Sequence, residues 1–206
     1  MSQYKAPLYV MLHPIEGFDD LKYSKSHGLK SAFLIAVLLF LSVLAHRQLS
    51  GFSLSINVWV EYVNVPLMLL QTVGLCAAFT VVNWALCTLY NGNGKLAYIW
   101  INLMYSLLPF ILSITTATIL SHFLSANETM FLDVVVIIGA LYSILLMIKG
   151  LQSCHEYSFG GSVSSIFFTV IGMLLMAFIA ILLFSITQQF VSFIVTVFRE
   201  ISFRRI

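Results

Sequence analysis

The chain has 206 residues, of which 60% are hydrophobic and only 9% are charged, and its mean hydropathy is +0.99. Soluble domains carry about 25% charged residues, so this composition excludes a water-soluble globular protein and predicts an integral membrane protein. The formal net charge of +2 is too small to favour nucleic acid as a partner.

The first 28 residues precede any long apolar run and are predicted to form a cytoplasmic N-terminal segment, 1–28. Pro14 can open a helix, and Ile15, Phe18 and Leu21 then recur every three residues between charged positions. The pattern predicts a short amphipathic helix on the inner membrane surface. An ordinary juxtamembrane linker is the alternative interpretation.

Five apolar intervals follow, and we interpret each as one membrane-spanning helix, which takes about 20 residues. The runs are continuous rather than alternating, which favours helices over a transmembrane β-barrel. We therefore predict an all-α fold, a polytopic integral membrane helical bundle of five spans in residues 29–187. Ser125 and Glu128 have the spacing of a capping box before the fourth span. The intervals are 29–44, 62–94, 96–127, 134–148 and 157–198.

Lysines set the predicted orientation, because cytoplasmic loops are enriched in Lys and Arg. Four lysines precede the first span, and Lys95 and Lys149 fall on the same side of the membrane. We therefore predict a multi-pass protein of the cell (plasma) membrane with a cytoplasmic N-terminus.

Residues 188–206 conflict with this orientation, because an odd number of spans places Arg199, Arg204 and Arg205 outside. We predict that 188–206 forms a C-terminal amphipathic, interfacial helix at the outer surface or against a partner. A sixth, short partial span is the alternative, although its apolar part of about ten residues is below the roughly 17 that spanning needs.

The sequence "NGNGK" between the second and third spans has the appearance of a phosphate-binding loop. A Walker-type loop needs a glycine at position 89 and Ser or Thr after the lysine, and the chain has Leu89 and Leu96 there. Gly92, Gly94 and Lys95 are instead predicted to form a tight turn, in which the glycines accept positive φ and the lysine fixes topology.

The interiors of the five spans carry no charged residue, which argues against a proton-coupled pump. Cys154-His155 has no further Cys or His at ligand spacing, and no Ser/His/Asp arrangement is apparent. We therefore predict a non-enzyme with no metal site and no cofactor.

Neutral polar residues in the spans are predicted to form interhelical contacts, with a hydrogen bond between Asn83 and Asn102. Small residues four apart are predicted to permit close helix packing and to serve as a docking surface, together with the C-terminal arginines. The polar candidates are Gln71, Asn83, Asn102 and Tyr105; the docking candidates are Gly74, Ala78, Gly139, Ser143, Arg199, Arg204 and Arg205.

The run "NWALCTLYNGNGKLAYIWINLMYSLLPFIL" resembles the membrane domain of the Yip (Ypt-interacting protein) family, and "HPIEGFDDLKY" with the closing "FREISFRRI" resembles its bacterial branch. The resemblance implies five membrane helices and an inward N-terminus. Eukaryotic relatives bind Rab-type GTPases and act in vesicle traffic. Bacterial relatives look like accessory membrane proteins, some associated with ABC-type carbohydrate permeases.

The leading functional prediction is a non-enzymatic accessory or scaffolding subunit of a membrane complex, with the lipid bilayer and other integral membrane subunits, such as an ABC-type permease, as partners. One alternative is a small transporter or channel for a neutral solute that uses Asn83, Asn102 and the Thr115–Thr118 face. Another is a membrane-trafficking factor of the Yip type.

Overall fold

The computed structural model describes residues 6–23, 28–50, 63–89, 94–125 and 128–203. Within these ranges, five helices are long and apolar enough to cross a membrane, which confirms the predicted all-α bundle of five spans. We number them first to fifth span along the chain. They are Gly28–Leu49, Val65–Leu89, Leu96–Leu120, Thr129–His155 and the helix Phe159–Phe203.

Prolines and polar caps explain where several of these helices begin or bend. The second span begins after Asn64, whose side chain accepts a hydrogen bond from the Leu67 N–H at 3.1 Å, and it contains a π-helical turn at Leu70–Gly74. The third span is interrupted at Leu107, because Pro109 cannot continue the hydrogen-bond ladder of Leu96–Ser106.

The fourth span begins at Thr129, one residue after Glu128. The Glu128 carboxylate accepts hydrogen bonds from the Ser125 N–H at 3.0 Å and the Ser125 hydroxyl at 3.1 Å. This is one half of the predicted capping box, since the serine hydroxyl donates to the carboxylate rather than accepting from the Glu128 N–H.

The third span lies at the centre of the bundle. Half of its most apolar stretch (50%) is buried, against 6% for the fifth span. Ile99, Met104 and Tyr105 are almost completely enclosed by neighbouring helices. The first, second and fourth spans pack against this helix, and the fifth packs on the second and fourth. Their outer faces are apolar and exposed, as a lipid environment requires.

Two short helices precede the first span, α1 (Ala6–Leu12) and α2 (Pro14–Tyr23). The predicted helix therefore begins at Pro14, but the expectation that its apolar face lies on the membrane surface is corrected. Phe18 is 1% exposed and packs against Gly150 of the fourth span, whereas Ile15 is 66% exposed and does not share the buried face.

Hydrogen bonds fix this N-terminal hairpin on the fourth span. The Tyr142 hydroxyl donates to the Met11 carbonyl at 2.6 Å, and the Ser153 hydroxyl donates to the Asp19 carboxylate at 2.6 Å. α1 and α2 are thus part of the bundle.

The fifth span is a single helix of 45 residues, about 68 Å long at roughly 1.5 Å per residue. It shows no break at 187/188, where the sequence predicted a separate terminal helix. From Leu174 onward the described side chains are exposed, apart from the half-buried Val197. Arg199 lies on this exposed part, and Arg204 and Arg205 lie outside the described residues.

Candidate functional site

The best-defined polar site lies at the end of the bundle where the second and fourth spans finish and the third and fifth begin, which we call the proximal end. Asn83 of the second span is completely buried there. Its side chain meets Cys87 on the same helix, His155 at the end of the fourth span, and Ser165 and Thr169 of the fifth span. We call these five residues the Asn83 cluster.

The Asn83 amide uses both of its ends. Its Nδ2 atom donates to Thr169 Oγ1 at 2.8 Å and to Ser165 Oγ at 3.1 Å, and its Oδ1 atom lies 3.2 Å from His155 Nε2. Because Oδ1 can only accept, this contact requires the proton on Nε2 of His155. One side chain therefore joins the second, fourth and fifth spans, where an unmade hydrogen bond would cost about 1–3 kcal/mol.

A short turn holds His155 in place. Glu156 ends the fourth span in the left-handed conformation (φ 60°), and the fifth span begins three residues later at Phe159. The ring of Tyr157 stacks on His155 with 5.2 Å between centroids. Burial, followed by contact with the Cys87 thiol, raises the pKa of Tyr157 to about 12.

Gly94 packs directly against the His155 ring. A Cβ atom at this position would lie 2.2 Å from Cε1 of His155. Gly94 does not have positive φ, so the expectation that this position needs glycine for its backbone conformation is wrong. The position needs glycine because the His155 ring approaches it so closely. Lys95 is exposed at the N-cap of the third span, and Gly92 lies outside the described residues.

A cavity of about 240 Å³ lies beside the Asn83 cluster, between the second and fifth spans. Its apolar wall consists of Leu86 and Phe168. The other lining residues are Cys87, Tyr157, Gly161, Ser164 and Ser165. None of the described residues that line it is charged.

The other predicted polar residues lie elsewhere. The expected pair of Asn83 and Asn102 does not form, because Asn102 Nδ2 donates to the Gly150 carbonyl at 3.0 Å. The Tyr105 hydroxyl lies 2.6 Å from Ser31 Oγ of the first span. Gln71 is exposed on the π-helical turn.

The small-residue pairs divide into two kinds. Gly139 and Ser143 face the third span: a Cβ on Gly139 would lie 2.1 Å from Ser113 Oγ, and Ser143 Oγ accepts the Phe110 N–H at 3.0 Å. Gly139 and Ser143 therefore pack against the third span of their own chain and are not part of an exposed docking surface. Gly74 and Ala78 are half-buried, and the atoms nearest to a Cβ on Gly74 belong to Leu70, one turn earlier in its own helix.

Sequence reasoning missed His155, Cys87, Ser165 and Thr169 as one site. The available signal was the four-residue spacing of Ser165 and Thr169, which places two hydroxyls on one helix face. No group of His, Cys, Asp and Glu suited to a metal ion occurs in the part of the chain that the structure describes.

A known protein family matches most of the chain. The model of the Yip1 domain matches residues 8–183, which include α2 and the first four spans. No curated protein and no solved structure matches the chain. Since the match covers most of the sequence, the chain belongs to the Yip1 domain family of membrane proteins.

Proposed function

We propose that this protein is a non-enzymatic accessory subunit that scaffolds a complex of integral membrane proteins, with an ABC-type carbohydrate permease as the candidate partner. The observation that supports this role is the fifth span. A bilayer core is about 30 Å thick, and this helix is about 68 Å long. The apolar side chains from Leu174 onward contact almost nothing in their own chain.

Two polar residues strengthen the proposal. Gln188 and Gln189 interrupt the apolar sequence of the fifth span, and both are exposed. Both lie about 44 Å along the helix from Phe159, beyond the roughly 30 Å of hydrocarbon that the fifth span crosses, so their amides can form hydrogen bonds with a partner outside the bilayer core. A partner helix that packs here would cover the apolar face and satisfy both amides.

The test is co-purification in mild detergent, followed by identification of the subunits that elute with the chain. We expect the double substitution of Gln188→Leu and Gln189→Leu to reduce the recovered partner at least several-fold. Thr187→Val is the matched control, because the Thr187 hydroxyl already donates to the Leu183 carbonyl of its own helix at 2.8 Å. Recovery of the wild-type chain as a lone monomer would contradict the proposal.

We further propose that the proximal end faces the cytoplasm and that the protein resides in the cell membrane. Support comes from Lys95 and Lys149, which lie near this end, under the rule that cytoplasmic loops are rich in Lys and Arg. The exposed Lys95→Cys should react with a membrane-impermeant maleimide only after cells are opened, with the wild-type chain as the background control. Labelling of Lys95→Cys in intact cells would show that the proximal end faces the outside and would contradict this orientation.

Transport of a neutral solute receives less support. Asn83 bonds to His155 and to the fifth span, whereas Asn102 bonds to the Gly150 carbonyl. Thr118, the third group of the expected path, contacts Nδ1 of His46 at 2.9 Å near the opposite end of the bundle. These polar groups are separate packing contacts and do not line a common pathway. Flux assays with liposomes that contain only this chain should therefore give the rate of empty liposomes.

A further inference from the structure

The cavity between the second and fifth spans is not used by the proposed scaffolding function. Three elements contribute to its lining: the second span, the connecting turn and the fifth span. They supply Leu86 and Cys87, Tyr157, and Gly161, Ser164, Ser165 and Phe168, respectively. At about 30 Å³ per water-sized group, its 240 Å³ hold roughly eight such groups. This is the size of a glycerol unit with its first methylenes.

The lining defines the chemistry of a ligand. Leu86 and Phe168 offer apolar contact in a lining that is mainly apolar, and Cys87, Tyr157 and Ser165 add polar groups to it. Apolar pockets with a few convergent polar groups are the usual form of small-molecule sites. Since the lining offers neither a cation nor a carboxylate, the complementary ligand is uncharged, with hydroxyl or ester oxygens at one end.

Protonation keeps the site neutral. The pKa of Tyr157 is raised to about 12, so its hydroxyl remains a hydrogen-bond donor throughout the physiological range. Ser165 Oγ already accepts the Asn83 amide at 3.1 Å, which orients the serine hydroxyl and connects the cavity to the Asn83 cluster.

The depth of the cavity identifies the source of the ligand. Tyr157 lies in the turn at the end of the bundle, and Phe168 lies nine residues into the fifth span, about 14 Å farther along the helix. Because a span enters the bilayer near its first residues, we expect lipid headgroups to give way to acyl chains within this range. We propose that the cavity binds the glycerol–ester region of an uncharged membrane lipid of the diacylglycerol type.

The test uses the full-length chain in lipid nanodiscs with a diacylglycerol that carries a photoreactive diazirine near its glycerol. After illumination, labelled peptides are mapped by mass spectrometry. We expect labelling to concentrate in peptides that contain Leu86–Cys87 and residues 157–168. Ser164→Phe, which fills the cavity from an exposed position, should reduce this labelling at least five-fold.

Adjacent positions provide the controls. Val163→Phe adds the same ring next to Ser164 but outside the cavity lining, so labelling should stay at the wild-type level. Ser164→Ala removes only the hydroxyl, which donates to the Gly161 carbonyl, and should also retain labelling. Equal labelling of wild type and Ser164→Phe, or labelling spread evenly along residues 174–203, would overturn the proposal.

Two further probes separate ligand classes. Phosphatidic acid with the same photoreactive group should label the cavity several-fold less, and equal labelling would overturn the requirement for an uncharged ligand. A short water-soluble diazirine alcohol should compete poorly with the lipid. Labelling by that alcohol alone, without labelling by diacylglycerol, would show a solute site and overturn the lipid assignment.

Discussion

Nε2 of His155 lies 3.2 Å from Oδ1 of Asn83, although 72 positions separate the two residues along the chain. The contact joins the ends of two spans, and the same amide also reaches the fifth span. Asn83→Leu keeps the size of the side chain and leaves the hydrogen-bonding groups of its partners buried. We expect a loss of about 1–3 kcal/mol in the free energy of unfolding, measured by denaturant titration in detergent micelles.

Gln71→Leu is the control for Asn83→Leu, since it removes an exposed amide from the same span. It should leave the unfolding free energy within about 0.5 kcal/mol of wild type. Equal stability of the two variants would show that the Asn83 amide does not join the helices.

Gly94→Ala tests the contact between the chain before the third span and the His155 ring. The added methyl would lie 2.2 Å from Cε1, and the ring is held by Asn83 and Tyr157, so it cannot move freely. We expect destabilisation by about 1–3 kcal/mol and a lower thermal midpoint. Gly160→Ala, where a Cβ meets nothing within 4 Å, should have no such effect.

Gly139→Ala and Gly74→Ala should separate the two small-residue pairs. The first places a methyl 2.3 Å from the Ser113 Cβ atom and should cost about 1–3 kcal/mol. The second meets only the end of the Leu70 side chain at 3.0 Å, which can rotate away, and should leave stability unchanged or slightly raised. The thermal unfolding midpoints of the two variants test this difference. A lower midpoint for Gly74→Ala than for Gly139→Ala would contradict the assigned packing.

Gly17→Ala should loosen the N-terminal hairpin, because its Cβ would lie 2.7 Å from the Cα atom of Val10 in α1, where only backbone movement gives room. We expect faster amide hydrogen exchange in residues 6–23, while exchange in Leu96–Ser106 stays at the wild-type rate. Ile15→Ala, at an exposed position of α2, is the control. Unchanged exchange in Gly17→Ala would argue against close packing of α1 and α2.

The raised pKa of Tyr157 predicts a pH effect with a defined sign. The native state keeps the tyrosine proton up to about pH 12, whereas the unfolded chain releases it near the ordinary value of 10.0. Between these values the native state binds more protons, so this contribution to stability is complete below pH 10 and is lost as the pH rises towards 12. Ultraviolet absorption of tyrosinate, compared between wild type and Tyr157→Phe, should show one tyrosine that titrates near 12.

The spans could be predicted from the sequence because the hydrocarbon core offers no hydrogen-bond partners to the backbone. Long apolar runs must satisfy their own hydrogen bonds, and in these runs the result is helices. Pro14 likewise marked the start of α2 correctly, because proline fits the first helical turn. Neither inference required knowledge of which helices are neighbours.

The partners of Asn83, Phe18 and Gly139 could not be read from the sequence in the same way. These contacts depend on how a helix is rotated about its axis and on which helix lies next to it. The sequence pattern does not indicate either when a span is hydrophobic on all sides. Asn83 and Asn102 have similar depth, yet the turn after His155 brings the fifth span to Asn83 and leaves Asn102 against Gly150.

The N-terminal hairpin also has a consequence for biosynthesis. Met11 and Asp19 form their hydrogen bonds with residues 131 and 134 positions later in the chain. At about 5–20 residues per second, α1 and α2 leave the ribosome on the order of ten seconds before the fourth span exists. During that interval, the lipid interface is the available place for Phe18 and Val10. We therefore expect the apolar side of the hairpin to contact the membrane in the nascent chain and to become a packing surface in the finished bundle.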